Sequence, residues 1–159
     1  MYRIVTTRFN NQTFEENDVW RRKNKWDGCI YGTPLQIRET FTVGCPLFVI
    51  EMNNSENTIE GIGIIKNEIC TDKYYKIYSD GNYNRYTYKS KYRIDREDFL
   101  EEDDNFVEIL ENILFKGKTH CKRGQGITSL PEHKGKKILS ACNKIFKKWV
   151  KSKYITDSC

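Results

Sequence analysis

The chain has 159 residues, enough for one domain with a real core, and its 31% charged and 13% aromatic content excludes a disordered tail. No run approaches the roughly 18 apolar residues of a membrane span, and the start, MYRIVTTRFNNQTFEEN, lacks the apolar stretch of a signal peptide, so an intracellular place, cytoplasmic or nuclear, is expected. The net charge of +5 hides a division: residues 116–153 carry twelve Lys/Arg against one acid (+11), and the remainder carries fifteen bases against twenty-one acids (−6).

YRIVTTRF, β-branched and aromatic, predicts an opening strand, and NQTFEENDVWRRKNKW a helix with its cations late, as the helix dipole prefers. WDGCIYGTP reads as a turn region, broken by Gly28, Gly32 and Pro34. The clearest strand pair is PLFVIEM and TIEGIGIIK around the polar turn NNSEN, with Gly61 and Gly63 suggesting a bent strand of the kind small barrels use. Two further extended segments, YYKIYS and NRYTYKSKYRI, flank the turn signal SDGN. REDFLEEDDNFVEILENILF predicts a helix capped by Asp95, with Phe106, Ile109, Leu110, Ile113 and Leu114 as its apolar stripe. After a basic connector, GKKILSACNKIFKKWVK predicts an amphipathic helix with Ile138, Cys142, Ile145 and Trp149 on one face and a cationic outer surface. These parts amount to a single α+β domain over residues 1–159: a small β-barrel of about five or six strands covered by about three helices, with the connector and last helix at 116–153.

Six cysteines at wide, irregular spacings form no C-x-x-C pair, so free thiols are expected and no metal or other cofactor is assigned. One Ala, three Pro and abundant Asn, Lys, Ile and Tyr fit an AT-rich genome, such as that of a large DNA virus or a protist. GKT at Gly117–Thr119 has the ending of a phosphate-binding loop, but Asn112 stands where that motif needs its first glycine, so a nucleotide triphosphatase is excluded. No G-x-S-x-G or H-E-x-x-H occurs, His120 and Cys121 are sequence neighbours, and no catalytic residue is assigned.

The connector LFKGKTHCKRGQGITSLP offers a different anion grip. Glycines let backbone N–H groups approach a phosphate, and Lys116, Lys118, Lys122 and Arg123, joined by Lys136 and Lys137 of the last helix, supply charge. Trp20 and Trp26 flank the run RRKNK; an indole beside cations suits stacking on an unpaired nucleobase, with Tyr75 and Tyr78 as further walls and Asn17 as a reader of a base edge.

The order NDVW, then PLFVIEMNNSENTIEGIGIIKN, then YKSKYRIDRED leading into EILENILFKG resembles that of the YTH domain and, more widely, of PUA-like barrels including EVE and ASCH domains. The resemblance covers roughly residues 15–117 and is one of pattern. It implies a pseudo-barrel that binds RNA or modified bases, with Trp20 as one wall of an aromatic cage for a methylated adenine. The second cage tryptophan has no counterpart, and Tyr74, Tyr75 or Tyr78 would replace it. The expected function is therefore a nucleic-acid-binding module, for RNA before DNA and without membrane attachment. The competing reading is a structural or assembly protein whose basic face docks nucleic acid or an acidic partner.

Overall fold

The segment RIVTTRF forms strand β1 (Arg3–Phe9), and Asn10 caps the helix that follows it, α1 (Asn11–Lys23): its side chain accepts from the Thr13 N–H at 2.8 Å while the Thr13 hydroxyl accepts from the Asn10 N–H at 3.0 Å. The computed structural model describes residues 3–38, 40–102 and 104–149, apart from the side chains of 100–102, 104, 141–146 and 149. The further strands are β2 (Cys29–Thr33), β3 (Pro46–Asn53), β4 (Thr58–Lys66), β5 (Tyr86–Ser90), β6 (Tyr92–Asp95) and β7 (Thr128–Ser129). The further helices are α2 (Arg96–Glu102), α3 (Asp104–Phe115) and α4 (Glu132–Trp149).

The expected α+β class is present, with strands divided between a five-stranded sheet, ordered β6-β4-β3-β1-β7, and a β2-β5 ribbon. Among the described residues these two sheets do not close into a hydrogen-bonded ring, and there are four α-helices where about three were expected. β1 and β3 run parallel, Arg3 opposite Leu47 through Phe9 opposite Asn53, so the chain must cross over between them; α1 and β2 make that crossover. β3 and β4 are antiparallel, with Glu60 as an extra residue between the Glu51–Gly61 and Met52–Ile59 pairs.

Alternation along the strands loads both faces of the sheet. Ile4, Phe48, Ile50, Met52, Ile62 and Ile94 pack against Phe99, Phe106, Leu110, Leu114 and Ile138 of the helices. Val5, Phe9, Leu47, Val49 and Ile65 face the ribbon and the 75–78 segment. Of the predicted stripe on α3, Phe106, Leu110 and Leu114 are buried and Ile109 is exposed; on α4, Ile138 is buried, and the calls on Cys142, Ile145 and Trp149 lie outside the described side chains. Asp95 stands just before α2; its carboxylate accepts from Arg93, while the Asp98 carboxylate accepts from the Asp95 N–H.

Two polar devices hold the layers. Glu51, buried on β3, accepts from the Tyr31 hydroxyl at 2.7 Å and from Arg93 Nε and Nη2 at 3.0 and 2.8 Å, tying β2, β3 and β6 together. Burial alone would lower the Arg93 pKa, but the Glu51 carboxylate more than reverses this. Lys134, also buried, donates to the carbonyls of Ile113 (2.9 Å) and Thr119, satisfying the end of α3 where its dipole is negative.

Candidate functional site

At the carboxyl ends of β1 and β3 the sheet meets the start of α1, and the connector folds back across this corner. A cavity of about 200 Å³ lies there. Its apolar and aromatic wall comes from Phe9, Tyr78 and Tyr83, the two tyrosine rings meeting edge to face at 6.4 Å and 77°. Its cations are Arg8 and Lys122, and no carboxylate occurs among the described residues that line it. Thr7, Asn10, Thr13, Asn54 and Gln125 complete the polar side.

The corner is built by local chemistry. Gly32 contributes an edge without a side chain; a Cβ there would stand 2.3 Å from the Tyr83 carbonyl oxygen, so only glycine lets the 78–83 segment approach β2. Gly124 (φ +116°) and Gly126 (φ +70°) give the connector its left-handed turns. Arg8 then pins both arms of that loop, Nε donating to the Cys121 carbonyl at 2.8 Å and Nη1 to the Thr128 hydroxyl at 2.9 Å, with Nη2 reaching the Thr6 hydroxyl at 3.3 Å. Those bonds use three of the five N–H donors of a guanidinium. No carboxylate among the described residues neutralises it, and burial pulls its pKa below the ordinary arginine value. Asn54 fastens the loop at a third point, its Nδ2 donating to the Lys122 carbonyl at 2.8 Å.

Of the residues singled out in the sequence, the structure brings Tyr78 and Lys122 to this cavity. Asn17 lies buried behind it, its Nδ2 bonded to the Ile30 carbonyl (2.7 Å) and the Tyr78 hydroxyl (3.0 Å) and its Oδ1 accepting from Arg21 (2.9 Å). It therefore fixes Tyr78 rather than facing a base, which corrects the expected role. Burial pushes the Tyr78 phenol up, so it stays protonated.

Trp20 and Trp26 are half-buried elsewhere. Trp20 sits against Tyr75 with ring centres 5.9 Å apart and lines a second cavity that also presents Glu15 and Glu16. Trp26 donates from its indole N–H to the Cys29 carbonyl at 3.1 Å. Between Trp26 and the buried Tyr75 stands Lys89, its Nζ 4.6 Å from the Trp26 ring centre, 5.0 Å from that of Tyr75 and 3.1 Å from the Tyr75 hydroxyl. The chain's own lysine takes the place that a stacked base was expected to have.

The other expected phosphate ligands do not line the acid-free cavity. Lys116 borders a separate hollow beside the Arg96–Glu111 pair, Lys136 is bonded to Glu132 at 2.8 Å, and Lys118, Arg123 and Lys137 are exposed. Arg8, Asn54 and Tyr83 are cavity residues that sequence reasoning did not select. The available signal for the first was a second arginine at the end of the opening strand RIVTTRF, just before Asn10 and Asn11. The four described cysteines, Cys29, Cys45, Cys70 and Cys121, are free thiols, and no cluster of metal-ligating side chains occurs among the described residues.

No described helix is long and apolar enough to cross a membrane. Comparison with protein-family models, with curated proteins and with solved structures finds no match for the chain.

Proposed function

We propose that the chain is a nucleic-acid-binding module, for RNA before DNA, that receives one unpaired base in the cavity at the end of β1 and performs no catalysis of its own. The observation that carries this reading is the composition of the cavity: two cations, a paired aromatic wall and several amides and hydroxyls, without a carboxylate among the described residues that line it. A single-stranded site needs those parts, cations for the phosphate and an aromatic wall for the base. At about 200 Å³ the space is below the roughly 300–1,000 Å³ of pockets for drug-sized ligands, which suits one ring system with the phosphates outside.

We read the ribbon and the sheet together as an open pseudo-barrel of the PUA-like kind. Support comes from the closeness of β2 to β4, where a Cβ on Gly63 would lie 2.2 Å from the Tyr31 hydroxyl and 2.7 Å from the Cys29 sulfur.

Fluorescence anisotropy with labelled single-stranded RNA, single-stranded DNA, duplex and an acidic peptide tests the proposal at low and high salt. The expected order has single strands tightest, weakening as salt rises. Equal binding of the acidic peptide would favour the docking role instead, and no binding to any strand would remove the proposal.

A further inference from the structure

Positive potential from separate parts of the fold meets at the cavity that ends β1, and no described residue lining it is a carboxylate. The three hydrogen bonds of Arg8 all go to neutral oxygens, those of the Cys121 carbonyl and the Thr128 and Thr6 hydroxyls, so its charge is solvated locally but not cancelled. Lys122, half-buried at the same cavity, has no carboxylate within ion-pair distance among the described residues. The start of α1 adds to the same sign: Asn10 and Thr13 line the cavity, and the first turn of the helix holds no acid. Acids close by in the chain are engaged elsewhere, Glu16 accepting from the Ser79 N–H at 2.7 Å and Glu56 from Asn11 Nδ2 at 2.9 Å. Burial already works against the Arg8 charge, pulling its pKa down, and a bound anion would relieve that cost.

We propose that the site selects a strand end: the nucleotide it receives carries a terminal phosphate monoester, whose double charge matches that of Arg8 and Lys122. The inference deepens the nucleic-acid reading above and rests on it. An internal phosphodiester carries a single negative charge, whereas a monoester near neutrality carries about −1.5 to −2 and three acceptor oxygens. In a space of about 200 Å³ both cations act on one group, and partial burial leaves them less screened than surface charges. A diester leaves one of the two cations uncompensated; a monoester leaves neither. Two of the five guanidinium N–H donors of Arg8 remain for those oxygens, and the Lys122 ammonium brings three more. The wall of Tyr78 and Tyr83 takes the adjoining base whatever its identity, so selectivity lies in the end of the strand and not in the base.

The test titrates one short, internally labelled single-stranded RNA made with a 5′-phosphate, with a 3′-phosphate, with hydroxyls at both ends, and with either phosphate blocked as its methyl ester. The ester keeps the phosphate group and removes its second charge. One phosphorylated end is expected to bind about ten-fold or more tighter than the hydroxyl form, and its methyl ester should lose most of that gain. Lys122→Ala should cut the preference to about three-fold or less, while Lys137→Ala, on α4, keeps it. Equal binding of all the forms, or an ester as tight as the free phosphate, would overturn the choice of a strand end and leave the nucleic-acid reading standing. An unchanged preference in Lys122→Ala would remove the end from this cavity and overturn the proposal. A phosphoserine peptide bound as tightly as the phosphorylated strand would overturn the strand as the source of the phosphate. Absence of binding to every RNA would overturn both readings.

Discussion

Lys122→Ala separates charge from structure at the cavity. The main chain at this position is engaged twice, its carbonyl accepting from Asn54 Nδ2 and its N–H donating to His120 Nδ1 at 3.2 Å, and alanine keeps both bonds. Stability should therefore change by less than about 0.5 kcal/mol. Binding should respond differently. Each phosphate contact on a single strand contributes a slope of about −0.7 to log affinity against log salt, so Arg8 and Lys122 together give about −1.4. Over a four-fold rise in salt, from about 50 to about 200 mM, that slope weakens binding about seven-fold; with Lys122 gone the slope halves and the loss is about three-fold. Anisotropy titrations of a labelled single strand across a salt series read the slope directly. Lys137→Ala, on the exposed face of α4, serves as the control and should leave it unchanged. An unaltered slope in Lys122→Ala, or an equal drop in Lys137→Ala, would refute a phosphate grip centred on the cavity.

Arg8→Met should loosen the connector as well as weaken binding, because it removes three hydrogen bonds to a charged donor; a loss of about 2–4 kcal/mol in urea unfolding is expected, with faster amide exchange around Cys121 and Thr128. Glu51→Gln leaves the buried Arg93 with the half-exposed Asp95 carboxylate as its remaining counter-charge and should cost up to about 3–5 kcal/mol by the same assay; a loss under about 1 kcal/mol would show that Asp95 or water compensates. Glu16→Gln tests a pH effect. Burial raises the Glu16 pKa, but the Ser79 N–H, Gln12 and the Ser79 hydroxyl outweigh it, so the folded value lies below the ordinary 4.5. The carboxylate's contribution is then present above the unfolded value and lost as pH falls through the folded one. Wild type should exceed the variant in melting temperature near neutrality, and the gap should close in acid.

The strands that sequence patterning located, β1, β3 and β4, owe their legibility to runs of apolar residues buried on both faces and to an unmistakable polar turn. WDGCIYGTP reads as a turn region because of Gly28, Gly32 and Pro34, yet Cys29–Thr33 forms β2, and the glycines serve close packing: Gly32 within the strand, and Gly28 just before it, where a Cβ would fall 1.9 Å from the Ser90 carbonyl oxygen. YYKIYS was expected as a strand and has no ladder partner. Asn84 takes that part, its Oδ1 accepting from the Ile77 and Tyr78 N–H groups and its Nδ2 donating to the Tyr78 carbonyl. NRYTYKSKYRI divides at Lys91, so that β5 pairs with β2 and β6 with β4. Within the site, Lys122 and Tyr78 were legible from charge and aromaticity alone. Arg8 and Asn54 were not, since their meaning comes from partners 113 and 68 residues away in the chain.

Glycines in a loop proposed to bind a ligand pose an energetic problem that the same long-range bonds address. A free connector with Gly124 and Gly126 would lose much backbone entropy on closing around a ligand, and each residue ordered at that moment costs about 1–2 kcal/mol. Here the ordering is done on folding. Arg8 fastens Cys121 and Thr128, Asn54 fastens Lys122, and Lys134 holds the Thr119 carbonyl nearer the loop's start. The glycines then supply turns and close approach without supplying slack, and binding energy need not be spent on shaping the loop. Arg8 belongs to the part of the chain with net charge −6 and Lys122 to the part with +11, so the cavity's charge arises only when the connector is pinned onto β1. On the proposed reading, folding and the capacity to hold an anion are the same event, and a variant that frees the connector should lose affinity even with every cation still present.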